Sequence, residues 1–162
     1  QCIATQLTGN YNNSDAWTTT TASSPAIDLT MAVAPKLKFR MWIDTEGSTY
    51  DGANLKISTN NGMSYSIVTT VMPAYTLTVN GEQAWGGHQG GLGWQLVQAD
   101  LSAYAGQNVR LRFAFRSDSS GTYPGVTELQ VVPWYFTGKD PEDLQNRIDS
   151  LAWWADEYIA KF

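Results

Sequence analysis

Short runs in which apolar and polar residues alternate constrain this fold more than any other feature of the sequence. In PKLKFRMWI the apolar residues Leu37, Phe39 and Met41 are separated by basic residues. ANLKIST and NVRLRFAFR repeat the pattern, with apolar sets that comprise Leu55, Ile57, Val109, Leu111, Phe113 and Phe115. Because successive side chains of a β-strand point to opposite faces, each run predicts a strand with one buried face.

Turn signals and shorter apolar runs extend this prediction along residues 1–138. Asn61-Gly62 predicts a tight hairpin and Asn80-Gly81 another turn, because both residue types tolerate positive φ angles. Many short strands with no helix between them favour two packed antiparallel sheets, so we predict a mainly β antiparallel sandwich. Further strands are predicted near residues 2–8, 65–71, 75–79, 94–101 and 126–133.

Basic residues of segment 1–138 all fall on the outward positions of the three alternating runs. If those strands are neighbours, one sheet presents a basic stripe. The stripe is either a solvated face that discourages edge aggregation, or a docking surface for an anionic glycan or an acidic partner. Its members are Lys36, Lys38, Arg40, Lys56, Arg110, Arg112 and Arg116.

Two stretches carry a resemblance to a known family: DTEGSTYDGANLKISTNNG and, much later, GWQLVQADLSAYAGQNVRLRFAFRSDSS. They resemble the MAM-like jelly-roll domain that accompanies secreted bacterial metallopeptidases of the immune-inhibitor type. They are also similar to the cleaved adhesin domains of secreted cysteine proteases. The resemblance covers roughly residues 2–133. It implies a non-catalytic jelly-roll β-sandwich that serves attachment, domain packing or adhesion, often with structural calcium.

The chain departs from this family at both ends of the resemblance. The family's last strand usually reads Gly-x-Tyr-Ile-Asp-Asp, whereas this chain reads PGVTELQVV, with Thr127-Glu128 in place of the two aspartates. Cys2 is the only cysteine, so the partner found in some members is missing. Both departures lie where the first and last strands would meet. We therefore expect an open sheet edge that a covering element would protect.

Loop acids are the candidates for the calcium that the resemblance implies. Calcium takes about six to eight oxygen ligands, which carboxylates and backbone carbonyls in flexible loops provide. The alternative reading from the residues alone is a set of solvated loop acids. The candidate metal ligands are Asp44, Glu46, Asp51 and Asp118, with Glu128 as a substitute for one missing aspartate.

A glycine-rich loop, NGEQAWGGHQGGLGW, is the candidate ligand site. Its glycines would let the backbone approach a ligand, and exposed aromatic rings stack well on sugars. Trp85, His88 and Gln89 are the candidate ligand-binding residues. The alternative is that Trp85 packs under the loop while Trp94 opens a strand and fills the core, since tryptophan is usually mostly buried.

Catalysis, nucleic-acid binding and membrane insertion are disfavoured by composition. One His and one Cys cannot supply a zinc tetrad, and no motif selects a nucleophile or a carboxylate pair. The net charge of −5 opposes attraction to nucleic acid, and no apolar run is long enough to span a bilayer. Richness in Thr, Ser, Asn, Gly and Trp is typical of exported bacterial β modules, so we expect an extracellular, non-enzymatic protein.

Residues 139–162 are far more charged than the rest of the chain. Asp140 suits an N-cap and Pro141 the first helical position, so an amphipathic helix is predicted from about 141 onward. Its apolar stripe either docks on the sandwich, pairs with a protein or a second copy, or enters a partner's groove. The candidate partner-binding residues are Leu144, Ile148, Leu151, Trp153, Trp154 and Tyr158.

Three functions are therefore open from the sequence. The first is a secreted, non-catalytic attachment or assembly module with structural calcium. The second is a carbohydrate-binding module that uses Trp85 and the basic strand face. The third is a natural or engineered scaffold whose terminal helix drives oligomerisation or partner docking.

Overall fold

The computed structural model describes residues 3–6 and 9–123, together with the backbone of residues 125–130. Eleven strands lie within these ranges, and two single-turn 3₁₀ helices flank the ninth strand. The strands are β1 (Thr21–Ser23), β2 (Ile27–Asp28), β3 (Lys36–Asp44), β4 (Gly52–Ser58), β5 (Ser66–Ile67), β6 (Val71–Met72), β7 (Leu77–Val79), β8 (Glu82–Ala84), β9 (Gln95–Asp100), β10 (Asn108–Arg116) and β11 (Gly125–Gln130).

These strands form two antiparallel sheets and one hairpin. The first sheet has the order β1-β10-β4-β5, and β2 also pairs with β10. The second sheet has the order β11-β3-β9-β6, and β7 pairs with β8 as a separate hairpin. The strands pair across long stretches of sequence, which explains why the order of strands in each sheet differs from their order along the chain.

The inner faces of the two sheets share one hydrophobic core. The apolar positions of the alternating runs are buried in it, apart from Phe113, which is partly exposed and packs against its border. Phe39 of β3 contacts Phe113 of β10 edge-to-face, with ring centroids 5.0 Å apart, and so joins the two sheets. The described part of the chain is therefore mainly β and sandwich-like, as the alternation predicts.

The turn at Asn80-Gly81 is confirmed, whereas the tight hairpin predicted at Asn61-Gly62 is wrong, because residues 59–65 form a longer connection between β4 and β5. All four residues of the two Asn-Gly pairs have positive φ, and Asn80-Gly81 forms a two-residue connection between β7 and β8. Short strands are less well anticipated from sequence: β1, β2 and β8 were not predicted. Segment 65–71 divides between two sheets, since β5 pairs with β4 whereas β6 pairs with β9. Near the N-terminus, the described residues 3–6 contain only a single bridge position, at Ile3.

The expectation of one basic stripe is wrong, because the basic strands are divided between the sheets. β4 and β10 are neighbours in the first sheet, whereas β3 lies in the second. Lys56 is also not a solvated residue: it is buried, and its Nζ lies 2.6 Å from the Glu82 carboxylate. The β7–β8 hairpin brings Glu82 over the outer side of β4 and so covers this lysine.

Residues 131–162 lie outside the described part of the chain. The predicted C-terminal helix, its six candidate partner-binding residues and the boundary at residue 138 therefore stay predictions. Among the described residues, no helix has the length and apolarity needed to cross a membrane.

Candidate metal centre

Three acidic side chains from two connections, β3–β4 and β10–β11, meet at one end of the sandwich. Glu46 follows β3 by two residues, Asp51 directly precedes β4, and Asp118 follows β10 by two residues. Because Arg116 of β10 pairs with Gly52 of β4, the antiparallel ladder brings Asp118 next to Asp51. One carboxylate oxygen from each residue lies within 4.8 Å of the other two, and the group could hold a metal ion.

Asp51 is the fixed member of this acidic cluster (Glu46, Asp51 and Asp118). It is fully buried, and both of its carboxylate oxygens accept hydrogen bonds. The Tyr11 hydroxyl donates to Oδ2, and the Asp118 backbone N–H donates to Oδ1 at 2.8 Å. Burial raises the pKa of Asp51 above its usual value, the two hydrogen bonds oppose this shift, and the charge of Asp118 adds to it.

Glu46 carries an unsatisfied oxygen. Its Oε2 is buried and has no hydrogen-bond partner within the described part of the chain. Burial raises the pKa of Glu46, and the charges of Asp118 and Asp51 raise it further, while His88 lowers it. A buried, unpartnered carboxylate oxygen is unfavourable unless a cation or a proton compensates it.

Gly121 closes the cluster from the other side. Its φ is +74°, and a Cβ there would collide with the Glu46 carboxylate. Its carbonyl oxygen lies 3.3 Å from the Tyr11 hydroxyl, which also bonds to Asp51. A non-glycine residue would therefore meet both backbone strain and a steric clash at this position.

Asp118 is held by backbone groups of its own loop and of a distant segment. Its Oδ1 accepts a hydrogen bond from the Ser120 N–H at 2.8 Å, and its carbonyl accepts one from the Ser14 N–H. The side chain is partly exposed, so it provides the solvent-facing side of the cluster.

Asp44 does not belong to the cluster, contrary to the sequence prediction. It is the last residue of β3 and follows the inward-facing Ile43, so strand alternation puts it on the outer side. There its Oδ1 lies 3.8 Å from Nδ1 of His88 and accepts a hydrogen bond from the Gly90 N–H at 3.3 Å. For Glu128, only the backbone is described: it pairs with Trp42 of β3, and its role as a ligand stays a prediction.

The glycine-rich loop serves the protein's own packing at most of its candidate positions. Trp85 is 1% exposed, and its Nε1 donates to the Pro73 carbonyl, so the expectation of an exposed stacking platform is wrong. Gln89 donates to the Gly86 carbonyl at 2.7 Å. His88 is exposed and lies edge-to-face with Tyr123 at 4.8 Å. The packing alternative holds for Trp85 but not for Trp94, which is 37% exposed.

Close approach of this loop to the acidic cluster explains one of its glycines. A Cβ on Gly86 would lie 2.5 Å from the Asp51 carbonyl oxygen. The Gly87 N–H donates to Oγ1 of Thr45 at 2.7 Å, and the Thr45 N–H donates back to the Gly87 carbonyl. The loop therefore supports the connection that carries Glu46 and Asp51.

Tyr11 is the site residue that sequence reasoning missed. It is buried, donates to Asp51 and accepts a hydrogen bond from the Glu46 N–H at 3.2 Å. Burial is the first cause that raises its pKa, and its hydrogen bond to Asp51 adds to this. No local pattern marks it, since it precedes Asp51 by 40 residues.

Comparisons with known proteins add no family to this geometry. No protein-family model matches the chain, and no curated protein matches it either.

Proposed function

We propose that this chain is an extracellular, non-catalytic attachment module in which the acidic cluster binds a structural Ca²⁺ ion. The observation that carries the calcium proposal is the buried, unpartnered Oε2 of Glu46 beside two further carboxylates. A cation there would attract all three carboxylates and so offset their mutual repulsion.

Calcium suits the cluster better than a transition metal. All three side chains offer oxygen atoms, which hard cations such as Ca²⁺ prefer. Two oxygens on one calcium ion lie at most about 5 Å apart, because Ca–O distances are about 2.3–2.6 Å. The spacing within 4.8 Å falls inside that limit. Backbone carbonyls and water would complete the shell.

The attachment role rests on the sandwich-like fold, the resemblance to accessory domains of exoproteases, and the kind of site found. An oxygen-only cluster locked by Tyr11 and by backbone N–H groups suits a structural ion that holds loops together. Binding through the predicted helix at residues 139–162 belongs to the same proposal.

Thermal melting in calcium tests the site. At a free Ca²⁺ concentration of about one hundred times Kd, we expect about 2.7 kcal/mol of added stability and a rise in Tm of roughly 5–10 °C. EGTA should reverse the rise, and Mg²⁺ should reproduce little of it because it demands a tighter octahedral shell.

Two matched variants make this test specific. Glu46→Gln removes a repelled charge with little change of shape, so it should fold without calcium yet lose most of the rise. Asp44→Asn removes a neighbouring carboxylate outside the cluster and should keep the rise. An unchanged Tm in calcium, or equal losses in both variants, would rule out the site.

A further inference from the structure

Two arginines on the outer side of the first sheet form a second candidate binding surface, away from the acidic cluster. Arg110 and Arg112 are two residues apart on β10, so strand alternation puts both on the same side. We propose that this arginine surface, made by Arg110, Arg112, Tyr65, Asn61 and Ser23, binds an anionic polysaccharide. The inference rests on the proposed attachment role and supplies its ligand class.

Neighbouring side chains hold both guanidinium groups in place. Nε of Arg112 donates to Oγ of Ser23 at 2.8 Å, and its guanidinium carbon lies 3.7 Å from the centre of the Tyr65 ring. Nε of Arg110 donates to Oδ1 of Asn61 at 2.9 Å. Nη1 of Arg110 also donates to the Ser24 carbonyl at 3.3 Å. Each planar guanidinium is therefore fixed, and its remaining terminal N–H groups are a preorganised donor set, which reduces the entropy lost on binding.

The Asn61-Gly62 turn is the element that fixes Arg110. Gly62 has a φ of +88°, and a Cβ there would lie 3.1 Å from the Tyr65 hydroxyl and 3.4 Å from Cδ of Arg110. The close backbone approach that glycine allows therefore seats the turn against Tyr65 and Arg110.

Within the described residues, the charges of Arg110 and Arg112 are not neutralised by an acidic side chain. Lys56 lies directly opposite Arg112 in the ladder, and like charges at such a pair are destabilising. Lys56 is compensated by Glu82. Arg110 and Arg112 have no acidic partner within 4.0 Å in the described part of the chain. These two positive charges are therefore available to an anionic ligand.

The chemistry around the arginines favours a sugar polyanion over an acidic protein. The exposed amide group of Asn61 adjoins Arg110, and the hydroxyl of Ser23 adjoins Arg112, and such neutral polar groups match sugar hydroxyls. Guanidinium forks bind carboxylate and sulfate oxygens in pairs. Since the whole chain carries a net charge of −5, a polyanion is attracted only by such a local surface.

Titration calorimetry in Ca²⁺-free buffer tests this proposal, with heparin as the sulfated probe, polygalacturonate as the carboxylated probe and dextran as the neutral one. The test protein is the double variant that carries both Arg110→Gln and Arg112→Gln. Its matched control is Lys38→Gln with Arg40→Gln, which removes the same charge from the outer side of β3 in the other sheet. We expect at least about a tenfold loss of affinity in the first pair and less than about twofold in the control.

Which probe binds identifies the anion, and dextran should not bind. Equal losses in both variant pairs would show a response to net charge and overturn the proposal, as would tighter binding of poly-glutamate than of either polysaccharide. If the double glutamine variant does not fold, the double variant Arg110→Lys with Arg112→Lys replaces it. Lysine keeps the positive charge but lacks the planar guanidinium group, so an unchanged affinity for the polysaccharide refutes guanidinium recognition. A normal calcium-induced rise in Tm without polysaccharide binding refutes this inference and leaves the calcium site standing.

Discussion

The Tyr11 hydroxyl lies between residues that are distant in sequence and shapes the chemistry of the acidic cluster. It donates to Asp51 and accepts from the Glu46 N–H, so it fixes the position of both residues of one connection. The same burial that fixes Asp51 disfavours its charged form. The acidic cluster is therefore positioned before any ion binds. This arrangement keeps three carboxylates close together, and their negative charges repel one another.

The pH dependence of stability should reveal this repulsion. The pKa values of Glu46 and Asp51 are raised in the folded state, above the ordinary values of 4.5 and 3.8. The folded protein then binds more protons than the unfolded chain in this window, so stability without calcium should increase as the pH falls from neutral toward about 5. Calorimetric melting in EGTA measures this trend.

Calcium and Glu46→Gln provide the controls for the pH series. In calcium the trend should reverse, because protons compete with the ion for the same oxygens. In Glu46→Gln the increase should be smaller. Asp100, whose pKa is lowered first by its hydrogen bond with Ser102, acts in the opposite direction, mainly near and below its ordinary pKa of 3.8 and so below this window. If the Tm measured without metal decreases steadily as the pH is lowered from 7, charge repulsion within the acidic cluster does not destabilise the folded protein.

The β7–β8 hairpin is the element that turns an outward strand face into a second buried layer. Ala84 and Val79 of the hairpin pack with Trp17 and with Ala114 of β10. The Trp17 ring also lies 5.2 Å from Nζ of Lys56. Because this cover includes Glu82, the buried lysine has a partner, and the ion pair ties the hairpin to the first sheet.

A double-mutant cycle should measure the interaction between Lys56 and Glu82. Glu82→Gln leaves Lys56 charged beneath the hairpin and should lower the free energy of unfolding by about 1–3 kcal/mol, toward the lower end because the Glu82 side chain is 31% exposed. Combining it with Lys56→Met, which removes the buried charge, should restore part of the loss. Urea unfolding gives the four energies, and strictly additive losses would show that the two side chains do not interact.

Over the whole described molecule, the two sheets depend on one core. Phe39 of the second sheet is fully buried and contacts Phe113 of the first sheet and Trp85 of the glycine-rich loop. The loop that supports the acidic cluster is therefore packed against the same core. Stability of the sheets and order at the cluster should be lost together.

Phe39→Ala tests this cooperativity. Removing a buried ring should cost about 3–5 kcal/mol, and the remaining structure should still unfold in one transition. Circular dichroism and tryptophan fluorescence should give coincident urea curves. Leu96→Ala is the control on the neighbouring strand: this side chain is 52% exposed and its loss should change stability by less than about 0.5 kcal/mol. Two separate transitions would mean that the sheets are independent units.

The sequence by itself determined the features that depend on residues close together in the chain. Alternation located β3, β4 and β10 and the side of each that faces the shared core, and the Asn-Gly pairs located two positive-φ turns. It also selected three of the clustered acids, Glu46, Asp51 and Asp118. Strand periodicity and turn conformation are local properties, which is why they can be read without knowing the fold.

Only the tertiary structure decided which strands are neighbours and what covers them. Strand pairing places β3 in a different sheet from β4 and β10. The β7–β8 hairpin covers Lys56, and Trp85 is buried in the hydrophobic core. The tertiary structure also excluded Asp44 from the acidic cluster and brought Tyr11 into it. These outcomes depend on contacts such as that of Asp118 with Asp51, which lie 67 residues apart. No local periodicity encodes them, because they arise when distant segments compete to bury the same apolar surface.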